Sequence, residues 1–147
     1  MITLSPDDFD LNEEYAALVS NNPDDGAVVT FVGRVRDLNQ DNAVSAMNIE
    51  CYPEMAKKVL ERIISQARER WDINRVRVYH RYGNLGIEEQ IVFIGVTSRH
   101  RGDAFNACEF IIDFLKTEAP FWKSEETNNG TRWVDANITD QKKVGSW

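Results

Sequence analysis

The chain has 147 residues, a formal net charge of −7 and a pI near 4.8, with 42% hydrophobic and 28% charged residues. These values exclude a disordered chain, and the acidic balance excludes a broad nonspecific nucleic-acid surface. The length suits one domain over residues 1–147. No run reaches the ~20 apolar residues of a membrane helix, and the start Met1-Ile2-Thr3-Leu4-Ser5-Pro6 lacks the basic lead and apolar core of a signal peptide, so a cytoplasmic protein is expected.

Charge is concentrated at the N-terminus. No Lys or Arg precedes Arg34, whereas Asp7, Asp8, Asp10, Glu13, Glu14, Asp24 and Asp25 do, and these seven acids equal the whole net charge of −7. This stretch predicts a short helix: Asp10 and Glu13 have capping-box spacing, Tyr15, Leu18 and Val19 give an apolar face, and Asn21-Asn22-Pro23 stops it. Strand patterns follow at Ala27–Val32, ending at Gly33, and at Val44–Cys51, joined by the polar loop Asp37–Asn42. Tyr52-Pro53 opens the clearest helix, with Met55, Val59, Leu60, Ile63, Ile64, Ala67 and Trp71 at helical spacing.

After Asp72 the period changes to two. Val76, Val78 and His80 alternate with Arg75, Arg77 and Tyr79, which predicts a half-buried strand. His80 reads there as a hydrogen-bonded core histidine. Gly83-Asn84-Leu85-Gly86 reads as a turn before a buried strand, Gln90–Thr97. A second long helix spans Asp103 to Thr117 with Ala104, Cys108, Ile111, Ile112 and Leu115 as its stripe. The last expected strand is Thr131–Ile138, after the turn at Asn128-Asn129-Gly130. Helices and strands mixed in this way predict an α+β fold, two long helices packed on a largely antiparallel or mixed sheet.

Cys51 and Cys108 lack metal-ligand spacing and fall on apolar faces, so both read as buried thiols; His80 and His100 lack zinc-ligand spacing as well. No metal site or cofactor is expected. The chemistry instead gathers in cations that follow apolar runs: Arg34 and Arg36 after the first strand, and Arg99, His100 and Arg101 after the strand ending at Thr97. The most informative segment is Phe114 to Glu125, where Lys116 and Lys123 flank Pro120. Proline forces the chain to turn near Ala119, so the two ammonium groups can converge, and Phe121 and Trp122 offer an apolar wall that would lower a lysine's basicity. Such a pocket suits a small anion.

The segments FVGRVRD, IECYPEM, IVFIGVTSRHR, FIIDFLKTEAPFWKSE and RWVDAN, in this order, resemble the family of molybdopterin synthase catalytic subunits. The resemblance runs from about Gly26 to Trp147. It implies an α/β-hammerhead fold with a small β subdomain, and an enzyme that moves sulfur from the C-terminal Gly-Gly thiocarboxylate of a small ubiquitin-like partner subunit to cyclic pyranopterin monophosphate, forming a dithiolene. It further implies a homodimer within a heterotetramer. By position in the motifs, Arg36, Lys116 and Lys123 are its central catalytic residues. Arg34, Val35, Arg36, His100, Arg101, Lys116, Lys123, Ser124 and Glu125 are its substrate-binding residues. Of the two lysines, Lys116 is expected beside the reacting carbon and thiocarboxylate, giving acid–base or electrostatic assistance, and Lys123 is expected to steady the pterin or a developing negative charge. A non-catalytic module that binds a phosphorylated small molecule or an acidic tail would explain the arginines equally well, but not two lysines across a proline break.

Overall fold

The computed structural model describes residues 1–39, 42–134 and 138–147. In chain order the elements are β1 (Ile2–Ser5), α1 (Leu11–Val19), β2 (Ala27–Arg34), β3 (Leu38–Asn39), β4 (Asn42–Cys51), α2 (Pro53–Arg70), β5 (Val76–Arg81), β6 (Gly83–Gly86), β7 (Gln90–Ser98), α3 (Arg101–Glu118), β8 (Phe121–Thr127), β9 (Gly130–Trp133) and α4 (Ile138–Gly145). The fold is α+β, as expected.

One mixed sheet has the order β1-β5-β7-β2, with β1 parallel to β5 and the other pairs antiparallel. β7 lies inside this sheet and is covered on both faces, which is why its sequence is a near-continuous apolar run rather than an alternation. On one face Val92, Ile94 and Val96 meet Leu60 and Ile63 of α2 and Ala107, Phe110 and Ile111 of α3 in the main core. On the other, Phe93 packs with Phe9 and with Leu18 of α1. Gly95 permits that approach, because a Cβ there would collide with Leu18 Cδ1.

Polar contacts fix α1 over the sheet. The Asp10 carboxylate accepts the backbone N–H groups of Asn12 and Glu13, capping the N-terminus. At the other end, where α1 has no basic residue of its own, the guanidinium of Arg75 from outside the helix donates to the carbonyls of Ala17, Leu18, Ser20 and Asn21. Buried Glu14 pairs with Arg77 of β5 at 2.7 Å.

The second sheet has the order β3-β4-β8-β9, with β6 paired to β4. Several of its strands depart from expectation. Gly83 to Gly86 is strand β6 rather than a turn, in register with Ala46 to Ile49, and Leu85 seals it into the core at 1% exposure. β8 occupies a stretch read only as chain beyond a proline turn. The strand expected over Thr131–Ile138 is β9, which stops at Trp133; residues 135–137 lie outside the described residues, and α4 begins at Ile138. β3 lies in the stretch read as a polar loop, of which residues 40 and 41 also lie outside the description. The N-terminal strand β1 was not expected either. Met55, placed on the buried stripe of α2 by its spacing, is exposed, and Ala56 is buried in its stead.

Candidate active site

α3 ends where the sequence required. Ala119 is already extended, with ψ at 139°, and Pro120 leads directly into β8. The last turn of α3 carries Lys116, and the third residue of β8 is Lys123. Both line a cleft of about 520 Å³ at the junction of the two sheets. Phe31 and Gly33 at the end of β2, Val92 of β7 and Met47 of β4 give it apolar walls, and Arg34 and Arg36 border it.

The two lysines stand in different environments. Lys116 is partly exposed, and its Nζ lies 3.3 Å from Asp140 Oδ2 of α4. Lys123 is half-buried; burial lowers its pKa below the ordinary 10.5, and the nearby Lys116 charge lowers it further, against the opposing pull of Asp140 and Glu125. The lysine with depressed basicity is therefore Lys123, whose neighbours Phe121 and Glu125 share its face of β8 by strand alternation. Glu125 is 1% exposed and also lines the cleft.

The other expected site residues fall elsewhere within a single chain. Val35 is a core residue, 2% exposed, with its N–H donated to the Glu89 carbonyl. Ser124 lies on the opposite face of β8 from Lys123, in register with Asn48. His100 is the N-cap of α3 and Arg101 its first residue, so both sit at the helix end remote from Lys116, on the order of 22 Å away at 1.5 Å per residue. Arg99 is exposed and borders a shallow depression with Asp24, Asp25 and Asp72.

Two residues of the cleft carried no functional signal in the sequence. One is Asp140, which a short polar segment contributes. The other is His80, fully buried as expected of a core histidine, yet lining the cleft. Its Nδ1 is 2.7 Å from the Arg81 carbonyl, and its ring stacks on Phe121 with centroids 3.8 Å apart. Burial, then the Lys123 charge, lowers its pKa from 6.5 to about 3. An unfolded chain therefore binds a proton at this residue that the folded chain refuses between those two values. The stability contribution is complete above about pH 6.5 and falls as pH drops, by up to about 1.4 kcal/mol per pH unit. Urea unfolding between about pH 7 and pH 5 should show this slope reduced in His80→Gln; an unchanged slope would contradict it.

Cys108 is buried, and burial pushes its thiol up to about 12; Cys51 is half-buried and its thiol is raised for the same reason. Neither is a ready thiolate. Among the described residues no group of three His, Cys, Asp or Glu could hold a metal ion, and no helix is long and apolar enough to cross a membrane.

The family model described as MoaE protein matches residues 4–118. The molybdopterin synthase catalytic subunit of Ralstonia nicotianae is 52% identical over 140 residues, covering 95% of this chain and 80% of that protein. The Escherichia coli protein of the same description is 49% identical over 146 residues, covering 99% and 97%. Among solved structures, the molybdopterin biosynthesis MoaE protein from Burkholderia ambifaria superposes with a TM-score of 0.85 at 51% identity, covering 100% of this chain and 97% of that one.

Proposed function

The chain belongs to the MoaE protein family, and on that premise we propose that it is the catalytic subunit of a molybdopterin synthase, transferring sulfur from the thiocarboxylated Gly-Gly tail of a small ubiquitin-like partner to cyclic pyranopterin monophosphate. The observation that carries this reading is the pair of unlike lysines facing one partly apolar cleft. Substrate phosphate and thiocarboxylate are both anions, and a cleft bordered by Arg34, Arg36, Lys116 and Lys123 answers them with charge-assisted donors. Glycines at the tail's end let its backbone enter a narrow space.

In each transfer the thiocarboxylate sulfur forms a bond to a substrate carbon and that carbon's bond to oxygen breaks, the oxygen leaving as water or as the phosphate of the opened cyclic ester, so that a thioester is formed without any change of overall oxidation state. Water then adds to the tail's carbonyl and the carbonyl carbon–sulfur bond breaks, leaving the tail a carboxylate and the sulfur on the pterin. Two such transfers complete the dithiolene. Lys116 is suited to hold the tail's negative charge. Lys123, with depressed basicity, is suited to take the proton of the attacking water, which leaves Lys116 the electrostatic part of its expected role and gives the acid–base part to Lys123. The cysteines have no part in this scheme. The chain, its thiocarboxylated partner and the precursor together should yield dithiolene product; a chain that binds both without product would leave only the binding-module reading.

Arg36 borders the cleft and is assigned to the phosphate or the adjoining pterin. Arg36→Ala should weaken precursor binding by about 1.5–3 kcal/mol in calorimetry, the range for a charge-assisted hydrogen bond. Unchanged affinity would place the anion site elsewhere.

His100 and Arg101 can join the same substrate only from a second copy, because α3 separates them from Lys116 within one chain. The proposed assembly is accordingly a homodimer, each copy carrying one small partner to make a heterotetramer, in the cytoplasm. Arg101→Ala should then weaken precursor binding as Arg36→Ala does. Sedimentation of the isolated chain at micromolar concentration should give a dimer, and a strictly monomeric 16.9 kDa species would contradict it.

A further inference from the structure

We propose that His80 is a further substrate-recognising residue, whose unprotonated Nε2 accepts a hydrogen bond from an N–H group of the pterin ring system. The inference rests on the substrate class proposed above and adds a residue and a contact to it.

The tautomer follows from the partner. The Arg81 carbonyl can only accept, so the Nδ1 atom 2.7 Å from it carries the proton. In a neutral ring Nε2 is then a bare acceptor. Burial and the adjacent Lys123 charge keep the ring neutral. No described residue donates to Nε2, although the side chain is 99% buried and lines the cleft. Among the described residues Nε2 is not one of the fully enclosed side-chain atoms that lack a partner, so it is open to the cleft, where a ligand can supply the bond.

Placement is rigid. His80 lies on β5, paired with Val92 of β7 on one side and with Leu4 of β1 on the other, so its backbone is held in the sheet. The parallel stack on Phe121, 11° between planes, fixes the ring. A group held on a strand interior and locked by packing is the kind that can select a ligand orientation.

The cleft also needs such a group. Arg34, Arg36, Lys116 and Lys123 are donors when charged and serve the anionic parts of a ligand. A pterin also carries N–H donors on its ring and amino group, which those cations repel. Asp140 is already engaged by Lys116, and Glu125 lies beside Lys123. A neutral acceptor discriminates a ring presenting N–H from one presenting a lone pair, since the mismatched ring leaves two acceptors facing each other.

The test uses the full chain labelled with 15N-histidine, which has two histidines and so two ring systems to assign. Addition of cyclic pyranopterin monophosphate should shift the His80 Nε2 resonance in the direction of a hydrogen-bonded acceptor. His80→Phe, which keeps an aromatic ring against Phe121 but has no acceptor, should bind the precursor roughly tenfold more weakly, with KM affected more than kcat. His80→Gln, whose side-chain oxygen reaches the same place, should recover most of the loss. Binding to the wild type with no movement of Nε2, or wild-type affinity in a folded His80→Phe, overturns the assignment and leaves the proposed function standing. Failure of the precursor to bind the wild type overturns both. If His80→Phe does not fold, the wild-type resonance decides alone.

Discussion

Lys116→Ala should abolish measurable dithiolene formation, a loss on the order of 10²–10³-fold or more, while the chain folds as before. The side chain is 43% exposed and pairs with Asp140, a pair of a kind worth roughly 0–1 kcal/mol to stability. A change of that size moves the melting temperature of a chain this long by only about 2–4 °C. In the proposed mechanism the catalytic loss has a separate origin: without Lys116 nothing at the end of α3 would hold the tail's anion against the reacting carbon. Lys116→Arg separates charge from shape. Arginine keeps the charge but spreads it over a planar fork that a point contact cannot use, so the rate should stay well below wild type. A folded Lys116→Ala with near-normal activity would remove Lys116 from the mechanism.

Lys123→Ala should cost about 10²–10⁴ in rate, the range for loss of a positioned acid or base, and should leave stability unchanged or improved. The physical reason is the same that makes the residue useful. An ammonium that is half-buried beside a second lysine is held in a poor environment, and its deletion relieves that cost. The wild-type rate should rise with pH through the lowered pKa of Lys123, below 10.5, because the base works in its neutral form. The variant also reaches His80: removing the charge lets its pKa rise from about 3, though only in part, since burial is the larger cause. A pH–rate profile without that ascending limb, or full activity in Lys123→Ala, would assign the proton transfer to another group.

The sequence revealed the elements whose inward faces are apolar, and those that carry the site least well. α2, α3, β2, β5 and β7 announced themselves by period, because their buried residues are aliphatic or aromatic. β8 did not, for a reason that belongs to function. Its inward positions are Phe121, Lys123 and Glu125, so two of three face the cleft with charge, and the alternation that would identify a strand is broken by the residues that make the site. β6 was obscured by its glycines, of which Gly83 has a φ of +91°, while its pairing with β4 is decided by tertiary contact with a segment more than thirty residues away. β1 is four residues long and gains its place only by pairing in parallel with β5, about 76 residues further on.

The site itself was legible in part. Proline chemistry placed Lys116 and Lys123 together, and Arg34 and Arg36, at and just beyond the end of β2, border the same cleft. Which lysine is buried was not legible, because the answer depends on β8 being a strand that points Lys123 inward. The distance from His100 to Lys116 was implicit in the helix expected over Asp103–Thr117, since the two residues lie at its opposite ends. Asp140 enters through α4, anchored to the body by Trp147, whose Nε1 donates to Asp113 at 2.7 Å, and by Lys143 paired with Glu109 at 2.9 Å. No local pattern in that segment marks an acid that lines the cleft.

The central claim is that sulfur passes from the partner's tail to the pterin without resting on this chain. A single-turnover reaction with the partner's thiocarboxylate labelled with heavy sulfur, analysed by mass spectrometry of both product and chain, tests it directly. The account predicts label in both dithiolene sulfurs of the product, a tail left as carboxylate, and no label on Cys51 or Cys108. Unlabelled product, or label retained on either cysteine, would contradict it.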